Sequence, residues 1–202
     1  MHFEANRIYH IYNRGNNRQK IFFNRENYLH FLRKIRDKIK PHCEILAYCL
    51  MPNHFHIMIS SDERSVKTLL VGKEERNVIS EAIRQILSSY CQSINKQEKR
   101  TGSLFTQNTN AKELAGIEID FETTKICFNY IHQNPYAATL VKKMEDWEFS
   151  SFKDYLGLRN GILCNQELTK ELLKIQEEGF YEKSYQVLNE EKLLNIWLNR
   201  DK

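Results

Sequence analysis

Two short segments of this 202-residue chain carry residue types that could do chemistry together. The first is His54-Phe55-His56. Side chains alternate along a strand, so both imidazoles fall on one face and Phe55 on the other. Two imidazoles on a rigid strand could bind one divalent metal, or could satisfy only local hydrogen bonds. The second segment is Tyr130-Ile131-His132-Gln133-Asn134-Pro135. On a helix Tyr130 and Asn134 are one turn apart, so a phenol and a carboxamide oxygen share a face. The plainer reading is a core tyrosine and a helix-ending Asn before Pro.

Taken together, the segments fit attack on a phosphodiester. A tyrosine oxygen can form a covalent intermediate with phosphorus. A phenol with an ordinary pKa of about 10 is little ionised at neutral pH, so the barrier must fall elsewhere. A metal on a non-bridging phosphate oxygen would offset the charge that builds on the leaving 3′ oxygen. Two imidazoles with one oxygen ligand leave positions open for substrate, and this donor set suits Mn²⁺ well and permits Mg²⁺. The tyrosine ester keeps the phosphodiester bond type, so a free 3′-OH can reverse the step without ATP.

These groups need a frame. Arg7–Arg14 is β-rich, with Ile8, His10 and Tyr12 on one face, and Gly15-Asn16-Asn17 reads as a turn. Asn24 is a suitable N-cap for a helix to about Lys40, with Tyr28, Phe31, Leu32, Ile35 and Ile39 at helical spacing. Cys43–Met51 and His54–Ser60 read as antiparallel strands joined by Met-Pro-Asn. Residues 61–76 read as a charged loop, 77–96 as a second amphipathic helix and 103–105 as a short strand. Residues 106–118 look irregular. A third helix is expected from about Phe121 to Asn134, limited by Pro135. Residues 147–157 are aromatic-rich, and the acidic tail from 165 reads as one or two helices. The order β-α-β-β-α-β with helices packed on an antiparallel sheet is α+β and ferredoxin-like.

Composition bounds the setting. Apolar residues make up 41%, enough for a core, and with 3 Pro and 7 Gly the chain is no disordered linker or collagen. No apolar run is long enough to cross a membrane. The N-terminus lacks an apolar h-region, so no signal peptide is expected. Five Cys without a C-x-x-C point to neither a disulfide framework nor a structural zinc site, and a reducing cytoplasm is expected. The net charge of +4 is uneven. The first forty residues are strongly cationic and the tail after 143 is anionic, which suggests a polyanion partner at the front. Arg7, Arg14, Arg18, Lys20 and Arg25 are the candidate phosphate contacts, with Tyr9, Tyr12, Phe22 and Phe23 interleaved. Aromatics so placed could stack unpaired bases, although Phe22 and Phe23 suit the core better.

The sequence resembles the single-tyrosine HUH transposases, in the REP-associated tyrosine transposase branch. The matching residues are Tyr9-His10-Ile11, Arg14-Gly15, Ala47 through His56 (AYCLMPNHFH), Asn95, Gly102-Ser103-Leu104-Phe105, Tyr130 through Pro135, and Trp147 through Ser151. The resemblance covers about residues 7–157; residues 1–157 are taken as a catalytic domain, with 158–202 as a C-terminal helical extension. It implies a sheet with the histidine pair on a central strand and Tyr130 as nucleophile, making a 5′-phosphotyrosine link and freeing a 3′-OH. It implies Asn134 as a third, amide-type metal ligand beside His54 and His56. The implied substrate is single-stranded DNA beside a short hairpin, and a homodimer is compatible with it. Tyr136, where relatives more often carry an aliphatic residue, offers a second phenol, and His132 points to another side of the helix. The competing expectations are a domesticated hairpin-binding protein without turnover and, with no role for Tyr130, a small histidine phosphoesterase.

Overall fold

The computed structural model describes residues 1–115 and 121–186. Its centre is a four-stranded antiparallel sheet in the order β2-β3-β1-β6, built from β1 (Ile8–Arg14), β2 (Glu44–Met51), β3 (His54–Ser60) and β6 (Asn110–Ala115). This is the expected α+β, ferredoxin-like arrangement. Helix α1 (Arg25–Lys38) leads from β1 to β2, and α3 (Val78–Gln97) precedes β6. Asn24 caps α1 as its position suggests, accepting from the Asn27 amide at 3.1 Å.

The alternation in β1 and β3 divides the sheet into two faces. Ile11, Phe55 and Ile57 join Phe31 and Ile35 of α1 and Ile83 and Ile86 of α3 in one apolar layer. His10, His54 and His56 face the other way, where α4 (Phe121–Ala137) lies. Cys127, Phe128 and Ile131 fix α4 to the core. So the helix carrying Tyr130 has a sheet face to itself, apart from α1 and α3.

Three expectations need correction. The fourth strand is Asn110–Ala115, inside the stretch that looks irregular, while residues 103–105 contribute only an isolated bridge from Phe105 to Gly15. Asn-Ala-Lys-Glu-Leu-Ala has weak β propensity, and its pairing is dictated by the waiting edge of β1. Residues 61–76 are not a plain loop. They hold α2 (Glu63–Val66) and a hairpin of β4 (Thr68–Val71) and β5 (Glu74–Asn77), turned at Gly72 with φ +67°. Finally, α4 runs through Pro135 to Ala137. Pro135 gives up its own backbone bond and crowds the carbonyl one turn back, and only two helical residues follow it.

The chain after α4 closes the outer edge of β2. Leu50 N donates to Phe149 O at 2.9 Å, Ser151 N to Tyr48 O at 3.0 Å, and Asn165 N to Ile45 O at 2.9 Å. Tyr155, on α5 (Phe152–Tyr155), donates its hydroxyl to Leu46 O. The acidic tail does hold short helices, α6 (Gln166–Leu172) and α7 (Phe180–Ser184); the rest of it lies outside the described residues.

Candidate active site

His54 and His56 stand on β3 and Tyr130 and Asn134 on α4, and these four side chains meet. The Tyr130 and His56 rings are 5.4 Å apart at 82°, and His54 and His56 are 4.9 Å apart. His54 Nε2 lies 3.4 Å from Asn134 Oδ1. The Tyr130 ring thus packs against His56 of the same chain. His56 is buried and His54 half-buried.

Local hydrogen bonds set the direction of each donor. Asn134 Nδ2 donates to Tyr130 O at 2.8 Å, which turns Asn134 Oδ1 towards His54. On the other side of the ring, His54 Nδ1 lies 2.7 Å from Asn53 Oδ1, and the Asn53 amide nitrogen donates to Arg18 O. Both ring nitrogens of His54 thus face amide oxygens, which only accept. A neutral imidazole has one proton for the two. If Nδ1 carries it, the Nε2 lone pair points at the Asn134 oxygen, and a cation held by both would offset the repulsion. Burial chiefly, with Arg14 adding to it, holds His54 below its ordinary pKa despite the opposing pull of Asn134.

A third histidine stands behind the pair. His10 Nε2 is 2.9 Å from His56 Nδ1, with the rings stacked at 5.0 Å. His10 is wholly buried, and its pKa is pushed down to about 3 by burial and then by Lys112. Burial first, then His10 and His54, holds His56 well below its ordinary value. Orienting one ring nitrogen of a metal-binding histidine through the other is a common arrangement. Sequence reasoning missed this role for His10. The available signal was a lone histidine on the same face of β1 as Ile8, in a strand that had to pair with β3.

Other residues separate into site and scaffold. His132 is buried, and its Nε2 meets Ser151 Oγ at 2.8 Å, pinning α4 to the segment along β2. Tyr136 packs 5.5 Å from the Tyr185 ring instead of by the histidines. Asn95 donates to Gly102 O at 2.8 Å and fastens the turn there to α3. Trp147 Nε1 donates to Leu50 O at 3.0 Å.

The front cations also divide. Arg14, Arg18 and Lys20 are exposed, and Arg14 is the register partner of His54. Arg7 is occupied by Glu4 at 3.0 Å and Glu113 at 3.4 Å, and Arg25 by Glu148 at 3.0 Å. Tyr9 and Phe22 are core residues, whereas Phe23 is 40% exposed and so departs from the expected core pair.

The fold recurs in a known protein. A solved structure of a REP-associated tyrosine transposase bound to a REP hairpin has the same fold, with a TM-score of 0.56 and 15% identity over 78% of this chain and 83% of that one. The model of the IS200-like transposase family matches residues 4–134, and the chain belongs to that family. No curated protein matches the sequence. Among the described residues, no helix is long and apolar enough to cross a membrane. Nor does any group of three His, Cys, Asp or Glu there suit a metal ion, so a site at the histidine pair would need the Asn134 amide.

Proposed function

We propose that this transposase-family protein is a metal-dependent, single-stranded DNA endonuclease and strand transferase that cuts beside hairpins. The observation that carries the reading is the close approach of His54 Nε2 to Asn134 Oδ1, with Tyr130 against His56 in the same chain. Neighbouring donors of an octahedral ion, bonded at about 2.1 Å, lie roughly 3.0 Å apart. The spacing of 3.4 Å needs only a small closure to reach that edge.

His54, His56 and Asn134 would hold Mn²⁺ or Mg²⁺. Such an ion neutralises charge at a phosphate oxygen and polarises phosphorus. With Nδ1 of His56 engaged by His10, ligation would use Nε2. Tyr130 Oη attacks phosphorus as its proton leaves. The P–O3′ bond breaks, the 3′ oxygen takes up a proton, and the 5′ phosphate stays on the tyrosine. A 3′-OH attacking that ester restores a DNA phosphodiester and the free phenol. Arg14, Arg18 and Lys20 would hold phosphates of the approaching strand. The neighbour of like fold was solved with a REP hairpin, which supports a hairpin as the partner.

The test is a denaturing gel after mixing the protein with labelled hairpin DNA from the repeats flanking its own gene and Mn²⁺. We expect a heat-stable, protease-sensitive adduct that EDTA abolishes. Tyr130→Phe should remove it and Tyr136→Phe should keep it. An adduct at wild-type level in Tyr130→Phe refutes the nucleophile, and full cleavage in EDTA refutes the metal site. Tight hairpin binding without an adduct would indicate a domesticated binder.

A further inference from the structure

A second feature lies at the far edge of the sheet from β2. A groove of about 950 Å³ runs between α3 and residues 103–111. Gln92 and Ser88 line one wall, and Gln107, Asn108, Thr109 and Asn110 the other. Leu87 and Cys91 add apolar surface between them. No Asp or Glu is among its described lining residues. Arg84, the one basic residue of the described lining, is held by Glu81 at 2.6 Å.

The wall is built and not a slack loop. Asn13, only 3% exposed, uses both ends of its amide to staple it. Its Nδ2 donates to Thr109 Oγ1 at 2.8 Å and Thr106 O at 3.3 Å, while its Oδ1 accepts from Thr106 Oγ1 at 2.6 Å and from Arg14 N at 2.6 Å. Thr106 N donates to Arg14 O at 2.9 Å, tying the wall to the residue whose register partner is His54. The staple engages the hydroxyls of Thr106 and Thr109. Gln107, Asn108 and Asn110 are left exposed beside the groove.

Neutral amides at a rigid spacing, with apolar surface at the base and no carboxylate, suit nucleobases. The carboxamide of Asn or Gln pairs its donor and acceptor with complementary base edges, and apolar surface accepts the ring. Phosphate binding alone would call for cations instead. We infer that this groove reads unpaired bases of the DNA strand next to the cleavage site, with Gln107 and Asn108 as specificity-determining residues and Asn13 as a positioning residue. The inference rests on the proposed strand-cleaving function for its substrate class, since the wall leads to Arg14 beside His54.

The experiment uses the full chain and a pool of hairpin oligonucleotides with six randomised single-stranded nucleotides on each side of the stem. The bound fraction and the covalent adducts are sequenced separately. Wild type should prefer particular bases at one or more positions by about tenfold or more. The double variant Gln107→Ala/Asn108→Ala should lower that preference to about threefold or less at those positions, with an unchanged melting temperature. Asn13→Asp, which removes the Nδ2 donor, should flatten the same positions. Base preferences unchanged in a folded double variant, or absent in wild type, overturn the inference. Failure of the adduct arm alone, with base preference intact in the bound fraction, overturns the cleavage reading and leaves the groove assigned.

Discussion

Replacing His10 by Phe tests whether the buried imidazole stack organises the site. Phe keeps the bulk of the ring but offers no partner to His56 Nδ1, now 2.9 Å from His10 Nε2. Both residues are at most 3% exposed, so water does not take the lost place. Two effects follow and read out differently. An unsatisfied buried group costs about 1–3 kcal/mol of stability. Loss of the partner that orients a ligating histidine lowers metal affinity about 10- to 100-fold, or roughly 1.4–2.7 kcal/mol. The assay is the initial rate of adduct formation against Mn²⁺ concentration, well below the melting temperature of either protein. The half-saturating Mn²⁺ should rise by about 10- to 100-fold, while the plateau rate stays within about threefold, because Tyr130 is untouched. His10→Gln, which keeps a polar end, should fall between the two. A folded His10→Phe protein with wild-type Mn²⁺ dependence would refute the reasoning, since a loss of stability alone moves the melting curve and not the metal titration.

Gly15→Ala would place a Cβ 2.2 Å from Gln19 O, so the turn bearing Arg14 and Arg18 must open. We expect about 1–3 kcal/mol lost in urea unfolding, and slower adduct formation through the Gly15 N to Asn53 O bond of 2.8 Å; unchanged stability would count against the packing described. Arg159→Met strips the buried Asp154 carboxylate of its 2.6 Å partner and frees the carbonyls of Glu148 and Ser150. Its unfolding midpoint in urea should correspond to about 3–5 kcal/mol less stability, and a loss under about 1 kcal/mol would contradict the network. Arg84, hydrogen-bonded to Glu81, holds that carboxyl down at about 2, against an ordinary value of 4.5. A depressed acid contributes stability that is complete above its unfolded pKa and is lost as pH falls from about 4.5 towards 2. Glu81→Gln should therefore flatten the melting-temperature profile in that window, and a profile parallel to wild type would exclude the pair as its source.

The histidine pair and the Tyr130–Asn134 pair were legible because strand and helix periods alone put each pair on one face. Their convergence was expected from the family resemblance and not from these periods, since it needs α4 to cross the face of β3 that carries the histidines. His10 stayed hidden for a related reason. Its role arises from the pairing of β1 with β3, and the register puts Met58, not His56, directly opposite it. The ion pairs that occupy Arg7 and Arg25 have Glu113 and Glu148 as partners, more than a hundred residues away, so local charge counting overstated the free cations. The edge strand β6 and the β5 arm of the hairpin were missed where charged residues mask strand character, because backbone pairing rather than side-chain type decides such segments.

The seam along β2 bears on what happens when the gene decays. Asn165 and Thr169 close the rim at Ile45 and Tyr155, and Arg159 braces the segment that runs beside Tyr48. A reading frame stopped before codon 149 would lose every one of these edge bonds yet still encode both histidines, the tyrosine and the front cations. Its product would carry an unhemmed row of backbone groups, an invitation to pair with other chains. Such a relic would go to proteases or aggregates before it could occupy DNA, so a damaged copy would tend to fall silent and not interfere with an intact one.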